Sequence, residues 1–286
     1  MNLDSLILRP LTRDELDLAI DWAAAEGWNP GLHDADVFWN TDPEGFVGAE
    51  LNGELVATGS IVSYGGCYGF MGFFIVRQDL RGKGIGTKLW FYRRDRLHER
   101  LQDGKIIEMD GVFDMQDWYA KGGFAFSHRD LRMEGVGASS PEIPGILSLK
   151  EVPFEVVASY DCEIFGCSRD SFLGPWISMH DASSLGYLQD GRLKGIGTIR
   201  ACREGYKIGP LFADDPGIAD ALFRQLSSTV AGQPIWLDIP DVNQAAVALA
   251  QTHGLEEVFG CARMSYGGVP DIPWRKVYGI TTFELG

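Results

Sequence analysis

The chain has few of the features that mark membrane proteins, secreted proteins or metal-bound domains. No stretch reaches the ~18 consecutive apolar residues that a membrane-spanning helix needs, and the opening residues MNLDSLILRP lack a basic segment followed by an apolar one. Five cysteines, an odd number in a chain without a secretion signal, argue against a disulfide framework. We therefore expect a cytoplasmic protein with no membrane partner.

The histidines and cysteines also lack the spacings that are typical of metal sites. The five histidines are scattered along the chain, and none has the HExxH spacing of a zinc-binding helix. Cys162 and Cys167 are separated by four residues, but no second pair and no nearby histidine completes a four-ligand zinc set. The sequence therefore predicts no metal site.

The chain has fewer basic than acidic residues, and many of the basic ones lie in one segment. The chain has 25 Lys and Arg against 40 Asp and Glu, so its formal net charge is -15. Such a chain repels nucleic acid, and we expect no nucleic-acid partner. A basic island nevertheless lies within one short segment, made of Arg77, Arg81, Lys83, Lys88, Arg93, Arg94, Arg96 and Arg100.

The same segment carries three alternating glycines between a strand and a helix. The stretch Phe73 to Trp90 reads FFIVRQDLRGKGIGTKLW, in which Gly82, Gly84 and Gly86 remove three side chains. Several backbone N–H groups can then converge on one anion at the start of a helix, which favours a phosphate. A merely solvated helix face would explain the arginines from Arg93 to Arg100. It does not explain the glycines.

The pattern of strands and helices predicts two α/β units. The length and the 45% hydrophobic content suit two domains. In the first half, strand and helix signals alternate up to a strand ending near Met133. Thr12 with Glu15 has the capping-box pattern of a helix start, and Asn52-Gly53 predicts a hairpin. In the second half, one helix is expected near Val156 to Phe172. A stretch rich in Gly, Ser and Pro at 135–145 marks a linker. We therefore predict a first domain at 1–134, a linker at 135–150, and a second domain at 151–286 that repeats the element order.

Two ordered motifs resemble the GNAT superfamily of N-acetyltransferases. RGKGIG at Arg81 to Gly86 matches the Arg/Gln-x-x-Gly-x-Gly/Ala signature, and WYAKGGF at Trp118 to Phe124 is similar to the family's Leu-Tyr-x-Lys-x-Gly-Phe segment. A Rossmann GxGxxG and a Walker A loop both fail, because the required glycine and the Gly-Lys-Ser/Thr are absent. The resemblance covers Leu6 to Met133.

The resemblance implies a fold, a co-substrate and a set of binding residues. The fold would be α/β, with two tandem GNAT-like domains, each a mixed, splayed central β-sheet flanked by helices. Acetyl-CoA would enter the splay, with its pyrophosphate on the glycine loop and its pantetheine arm on exposed strand backbone. The implied binding residues are Phe74, Ile75, Val76, Arg81, Gly82, Lys83, Gly84, Ile85, Gly86 and Thr87.

Acetyl transfer to an amine needs a proton for the departing thiolate and a neutral nucleophile. Tyr119 occupies the position of the family's general-acid tyrosine, although a tyrosine can also simply pack in a core. The strand Tyr68 to Val76 has no carboxylate where many relatives carry one. Glu108 and Asp110 are further candidates for the catalytic base, and the alternative is a solvent-facing polar pair.

The second half resembles a degenerate copy of the same domain. NQAAVALA at 243–250, followed by Gly254-Leu255, follows a family pattern but has alanine in place of the tyrosine. The loop at 206–216 lacks closely spaced glycines and carries acids where a phosphate would sit. The closing YGITTFELG also resembles the end of the acetyltransferase-like C-terminal domain that some bacterial proteins carry after a catalytic GNAT domain. We expect this half to shape the acceptor pocket.

The predicted function is an acetyl-CoA-dependent N-acetyltransferase that uses a ternary complex. The amine acceptor would be a small amine, a polyamine, or a lysine or amino terminus of a protein. The acidic body favours a cationic acceptor. The alternative is a non-catalytic CoA-binding module with a regulatory or interaction surface, and the oligomeric state stays open.

Overall fold

The computed structural model describes Leu3 and residues 5–286. The first half alternates strands and helices as the sequence predicts. Its elements are β1 (Leu6–Pro10), α1 (Arg13–Ala25), α2 (Asp34–Thr41), β2 (Phe46–Leu51), β3 (Glu54–Ser60), β4 (Val62–Tyr64), β5 (Tyr68–Met71), β6 (Ile75–Val76), α3 (Ile85–Arg100), β7 (Ile107–Val112), α4 (Gln116–Lys121) and β8 (Ala125–Val136).

The second half repeats this order, with three strands instead of five after its first two helices and one more strand at its end. Its elements are β9 (Ile146–Ser148), α5 (Phe154–Phe165), α6 (Asp170–Ser178), β10 (Ala182–Gln189), β11 (Arg192–Ala201), β12 (Tyr206–Ala213), α7 (Pro216–Ser228), β13 (Pro234–Pro240), α8 (Gln244–Thr252), β14 (Glu256–Tyr266) and β15 (Val277–Gly279). The predicted α/β class is confirmed.

Local sequence signals explain several element boundaries. Thr12 and Glu15 form the predicted capping box at α1, since the Thr12 side chain accepts from the Glu15 amide and the Glu15 carboxylate accepts from the Thr12 amide. Asn52 and Gly53 both have positive φ, 54° and 84°, and close the β2–β3 hairpin. Both features were predicted from sequence and are confirmed.

Two elements differ from the prediction because the backbone breaks at a specific residue. The single helix expected from Val156 to Phe172 is two helices, since Gly166 ends α5 in the left-handed conformation, φ 83°. The strand expected from Tyr68 to Val76 is interrupted between β5 and β6, where Phe73 has φ 48°. The second break opens the site described below.

The strands of the two halves are interleaved in one sheet. In the described part of the chain, β1, β2, β3 and β6 form a small sheet. The large sheet has the order β4-β5-β7-β14-β8-β13-β12-β11-β10-β9, with β15 paired to β12. Strand β14 of the second half therefore lies between β7 and β8, and β8 of the first half pairs with β13. Each half completes the sheet of the other.

This exchange bears on the predicted linker. Strand β8 ends at Val136 and β9 begins at Ile146, so both enter the range 135–150. Residues 137–145 contain no helix or strand. The division of the chain into domains at this point stays a prediction, because the two halves share their central sheet.

Candidate functional site

The site begins where two parallel strands separate. Strands β5 and β7 pair from Gly69 opposite Ile107 to Met71 opposite Met109. Beyond that point the chain bulges and β6 pairs instead with β3. Strands β6 and β7 therefore diverge, and among the described strands β6 has a partner, β3, on one edge only. The other edge can bind an extended ligand by main-chain hydrogen bonds.

The glycine segment forms the mouth of this opening. Gly82 and Gly84 have φ of 75° and 88°, a conformation that favours glycine, and Gly84 immediately precedes α3. A Cβ on Gly86 would lie 3.3 Å from the Val76 side chain. The first amides of a helix have no partner within it, so the start of α3 offers donors to an anion.

A cavity of about 640 Å³ joins the glycine loop to the splay. All of the predicted CoA-binding residues line it except Lys83 and Ile85. Lys83 is exposed and its ammonium donates to the Asp79 carbonyl, 2.7 Å away, while Ile85 is fully buried in the core. The geometry therefore fits CoA binding mainly by backbone.

Arg81 lies at the cavity mouth and is held by two partners. Its Nε donates to the Val76 carbonyl at 2.9 Å, and its guanidinium pairs with the Glu26 carboxylate. The arginine therefore connects the loop to the end of β6. A bound pyrophosphate would compete with Glu26 for this guanidinium.

Tyr119 lines the same cavity from α4. The residue is 5% exposed, and its ring packs against Trp90 and Trp118 with centroids 5.0 and 5.6 Å away. Among the described residues, none hydrogen-bonds the hydroxyl. Burial raises the pKa of Tyr119 to about 12. The phenol is therefore protonated at neutral pH.

The two candidate carboxylates on β7 have different surroundings. The alternative of a solvent-facing pair is wrong, since both side chains are fully buried. Glu108 accepts hydrogen bonds from Tyr68 and Ser265 at 2.5 and 2.9 Å and does not line the cavity. Asp110 lines the cavity, and burial raises its pKa well above the usual range.

Arg263 of β14 organises the carboxylates behind the cavity. Its Nε and Nη2 each lie 2.8 Å from an oxygen of Asp110. Its Nη2 is also 3.1 Å from Asp130 of β8, although at an angle that forms no hydrogen bond. Sequence reasoning missed this cluster because β14 comes more than 150 residues after β7.

Arg93 of α3 is buried beneath the bulge. A solvated helix face was the alternative explanation for Arg93 to Arg100, and for Arg93 it is wrong, since the residue is 1% exposed. Its Nη2 donates to the Ser60 and Gly72 carbonyls at 2.9 and 2.6 Å. Burial lowers its pKa to about 9. Arg93 therefore fixes the point at which the strands separate.

The comparisons with known proteins agree on one family. Residues 13–124 match the model described as acetyltransferase (GNAT) family, and residues 157–279 match the one described as acetyltransferase (GNAT) domain. A protein named holothin acyltransferase, from Pseudoalteromonas sp. (strain SANK 73390), is 30% identical over 97% of this chain and 94% of its own. The chain belongs to the GNAT acetyltransferase family. It is an acyltransferase with two tandem GNAT domains.

Solved structures share the tandem GNAT fold. A putative acetyltransferase from Pyrococcus horikoshii superposes with a TM-score of 0.84 at 22% identity, covering 100% of this chain and 98% of that one. A tandem GNAT protein from the clavulanic acid biosynthesis pathway gives a TM-score of 0.61 at 15% identity, covering 93% and 100%. At these identities the likeness concerns the fold alone.

The second GNAT domain has a carboxylate at the position that corresponds to the phosphate loop. Asp215 precedes α7, and its Oδ1 accepts from the Gly217 and Ile218 amides at 2.8 and 3.0 Å. The neighbouring Asp214 pairs with Lys194 and Lys276 at 2.9 and 3.0 Å. The helix start that would receive a phosphate is therefore already occupied by the protein.

Two further findings concern residues outside this cavity. The histidines are not all scattered in space, since His33 and His180 lie with Asp181 on the surface, with possible ligand atoms within 4.8 Å of one another. In the described part of the chain, no helix has the length and apolar character needed to cross a membrane.

Proposed function

We propose that this protein transfers an acetyl group from acetyl-CoA to a primary amine by direct attack in a ternary complex. The observation that carries the proposal is one cavity lined by the glycine loop, the free edge of β6 and Tyr119. The relative named holothin acyltransferase supports acyl transfer, because it matches along nearly the whole chain. We propose a small amine as the acceptor. A polyamine or a protein amine is a further acceptor class to test.

Backbone groups would hold the CoA. The amides at 82–87 would receive the pyrophosphate, since positive φ at Gly82 and Gly84 turns the chain around the helix start. The free edge at Phe74 and Val76 would hydrogen-bond the pantetheine arm as an added strand does. The thioester would then lie at the splay, close to Tyr119. Acetyl-CoA supplies the activated carbonyl carbon for the reaction.

Tyr119 would act as the general acid. Its position in the cavity supports donation to the departing thiolate, and the hydroxyl carries its proton at neutral pH, as any tyrosine with a pKa of 10 or above does. We propose that only the first GNAT domain binds CoA, because Asp215 occupies the helix start in the second.

The net charge of -15 supports a cationic acceptor and a function without nucleic acid. We also propose a cytoplasmic location, where acetyl-CoA is available. No metal takes part in the proposed reaction, since the thioester already activates the acyl group.

A thiol-release assay tests this function. The protein is incubated with acetyl-CoA and a panel of small amines, polyamines and lysine peptides, and free CoA thiol is measured against a control without acceptor. We expect one amine class to raise release, with one CoA bound per chain by calorimetry. Acetyl-CoA binding without stimulation by any amine would favour a non-catalytic CoA-binding module.

A further inference from the structure

The cavity has a wall that comes from the second GNAT domain. The closing segment Tyr278–Gly286 is buried along its whole length, and its Phe283 and Glu284 line the cavity that also holds Tyr119. The strand Tyr68 to Val76 contributes no carboxylate. A glutamate from the other domain therefore enters the site where that strand has none.

The closing segment is fixed against the bulge of the first domain. Gly72 has no room for a side chain, because a Cβ there would overlap the Glu284 carbonyl oxygen. The Ser60 hydroxyl donates to the same carbonyl at 3.3 Å, and the Tyr64 hydroxyl donates to the Leu285 carbonyl at 2.9 Å. The backbone of Glu284 therefore lies next to the point where the strands separate.

The carboxylate of Glu284 is buried and has no hydrogen-bond donor among the described residues. The residue is 4% exposed, and its hydrogen bonds in the structure involve only its backbone. The other carboxylates that line the cavity are engaged, Glu26 by Arg81 and Asp110 by Arg263. Among the described residues that line the cavity, Glu284 is thus the carboxylate that is available to a ligand.

Charged groups of both domains surround this carboxylate. Lys207, Arg132 and Arg200 favour its ionised form, and Asp34 opposes it. Burial outweighs the cations and raises the pKa of Glu284 above its usual value. A raised carboxyl pKa brings a base closer to the working pH.

We propose that Glu284 is the general base, supplied by the second GNAT domain to the active site of the first. The assignment rests on the proposed acyl transfer to an amine. The carboxylate takes one proton from the acceptor ammonium, and the neutral amine then attacks the thioester carbonyl. This assigns a catalytic residue to the closing YGITTFELG motif.

The proton balance closes with the groups in the cavity. One proton of the ammonium passes to Glu284 and then to solvent. The new C–N bond forms and the C–S bond breaks, and Tyr119 donates its proton to the thiolate while it recovers one from the attacking nitrogen. The third proton of the ammonium remains on the amide. The products are the amide, CoA thiol and one proton.

Asp110 is the competing candidate for this role. Both of its oxygens accept hydrogen bonds from Arg263 at 2.8 Å, so a proton on Asp110 would break one arm of a bidentate ion pair. Glu284 has no such bond to lose. The structure therefore favours Glu284 as the base and gives Asp110 the task of fixing β7 to β14.

Turnover and its pH dependence test the assignment. Wild type, Glu284→Gln, Glu284→Asp and Tyr119→Phe are compared with acetyl-CoA and the best amine of the panel, and Glu155→Gln on the exposed start of α5 is the matched control. We expect Glu284→Gln to lower kcat on the order of 10²-fold near neutral pH. The defect should shrink as pH rises, because a rising fraction of the amine is already neutral.

Each result decides between the roles. Glu284→Asp should recover part of the activity and the wild-type acidic limb of the pH profile, which a purely structural role would not produce. Wild-type activity in Glu284→Gln together with a slow Tyr119→Phe would overturn the base assignment and leave the acyltransferase function intact. Equal losses of melting temperature and CoA binding in both Glu284 variants would also overturn it. No amine acylated by wild type would overturn both proposals.

Discussion

Gly72 and Glu284 pack backbone to backbone at the junction of the two GNAT domains. Gly72 lies at the bulge where the sheet splays, and a Cβ there would overlap the Glu284 carbonyl oxygen. The Gly72 amide donates a hydrogen bond to the Ser60 hydroxyl oxygen, 2.7 Å away. The lack of one side chain therefore allows the second domain to reach the active site of the first.

Alanine at Gly72 is expected to disturb this junction. The new methyl group must displace the Glu284 backbone, which overpacks a filled region and costs about 1 to 3 kcal/mol in unfolding free energy. Urea unfolding followed by tryptophan fluorescence measures this cost. The matched control is Gly174→Ala in α6, where the methyl group would meet Phe154 at an ordinary 3.7 Å. Equal stability of the two variants would contradict the close packing.

Valine at Gly84 is expected to weaken CoA binding. The residue has φ 88°, a conformation that costs a β-branched side chain roughly 1 to 3 kcal/mol. The loop should therefore relax away from the geometry that directs its amides to a phosphate, with a loss of tenfold or more in affinity, since tenfold corresponds to about 1.4 kcal/mol. Calorimetry with CoA measures it. Lys83→Ala, which leaves the backbone unstrained, should bind within a few-fold of wild type.

Phenylalanine at Tyr119 is expected to slow the reaction without weakening CoA binding. The hydroxyl has no hydrogen-bond partner among the described residues, so its removal leaves the packing on Trp90 intact. Loss of a general acid should lower kcat about 10²-fold. Tyr187→Phe on β10 of the second domain is the control. A Tyr119→Phe enzyme with normal turnover would make this residue structural.

The parts of the fold that sequence could predict are those fixed by neighbouring residues. Three features depend on residues within a few positions of one another: the Thr12 capping box, the Asn52-Gly53 hairpin and the glycines before α3. The local sequence therefore determines their geometry. The same holds for Asn243, whose side chain caps α8 at the Ala245 amide.

The parts that sequence could not predict depend on distant partners. Strand β8 pairs with β14, which lies more than 100 residues later in the sequence. No local pattern encodes this pairing. Arg93 reads as one more arginine of a basic face, yet the carbonyls that bury it belong to Ser60 and Gly72. Glu284 likewise enters the site only because the second domain folds back onto the bulge. The YGITTFELG motif could be identified in the sequence, but the position of Glu284 in the cavity could not be predicted from it.

Stability in acid is expected to depend on His128 of β8. The imidazole is 5% exposed and lies 4.3 Å from the Trp274 ring between centroids. Burial, followed by the charge of Arg263, lowers its pKa from 6.5 to about 4. The unfolded chain therefore binds a proton between these two values that the folded chain does not bind, and the stability contributed by neutral His128 is lost as pH falls from 6.5 through 4.

Replacing His128 with glutamine should flatten that loss. A shift from 6.5 to about 4 corresponds to about 3 kcal/mol at 1.36 kcal/mol per pKa unit. Urea unfolding at pH 7 and pH 4 should therefore show a smaller drop for His128→Gln than for wild type, whatever the absolute stability of the variant. His180→Gln, whose side chain is 83% exposed, should keep the wild-type drop. Parallel pH curves for His128→Gln and wild type would mean that other buried groups, such as Asp130, control the acid response.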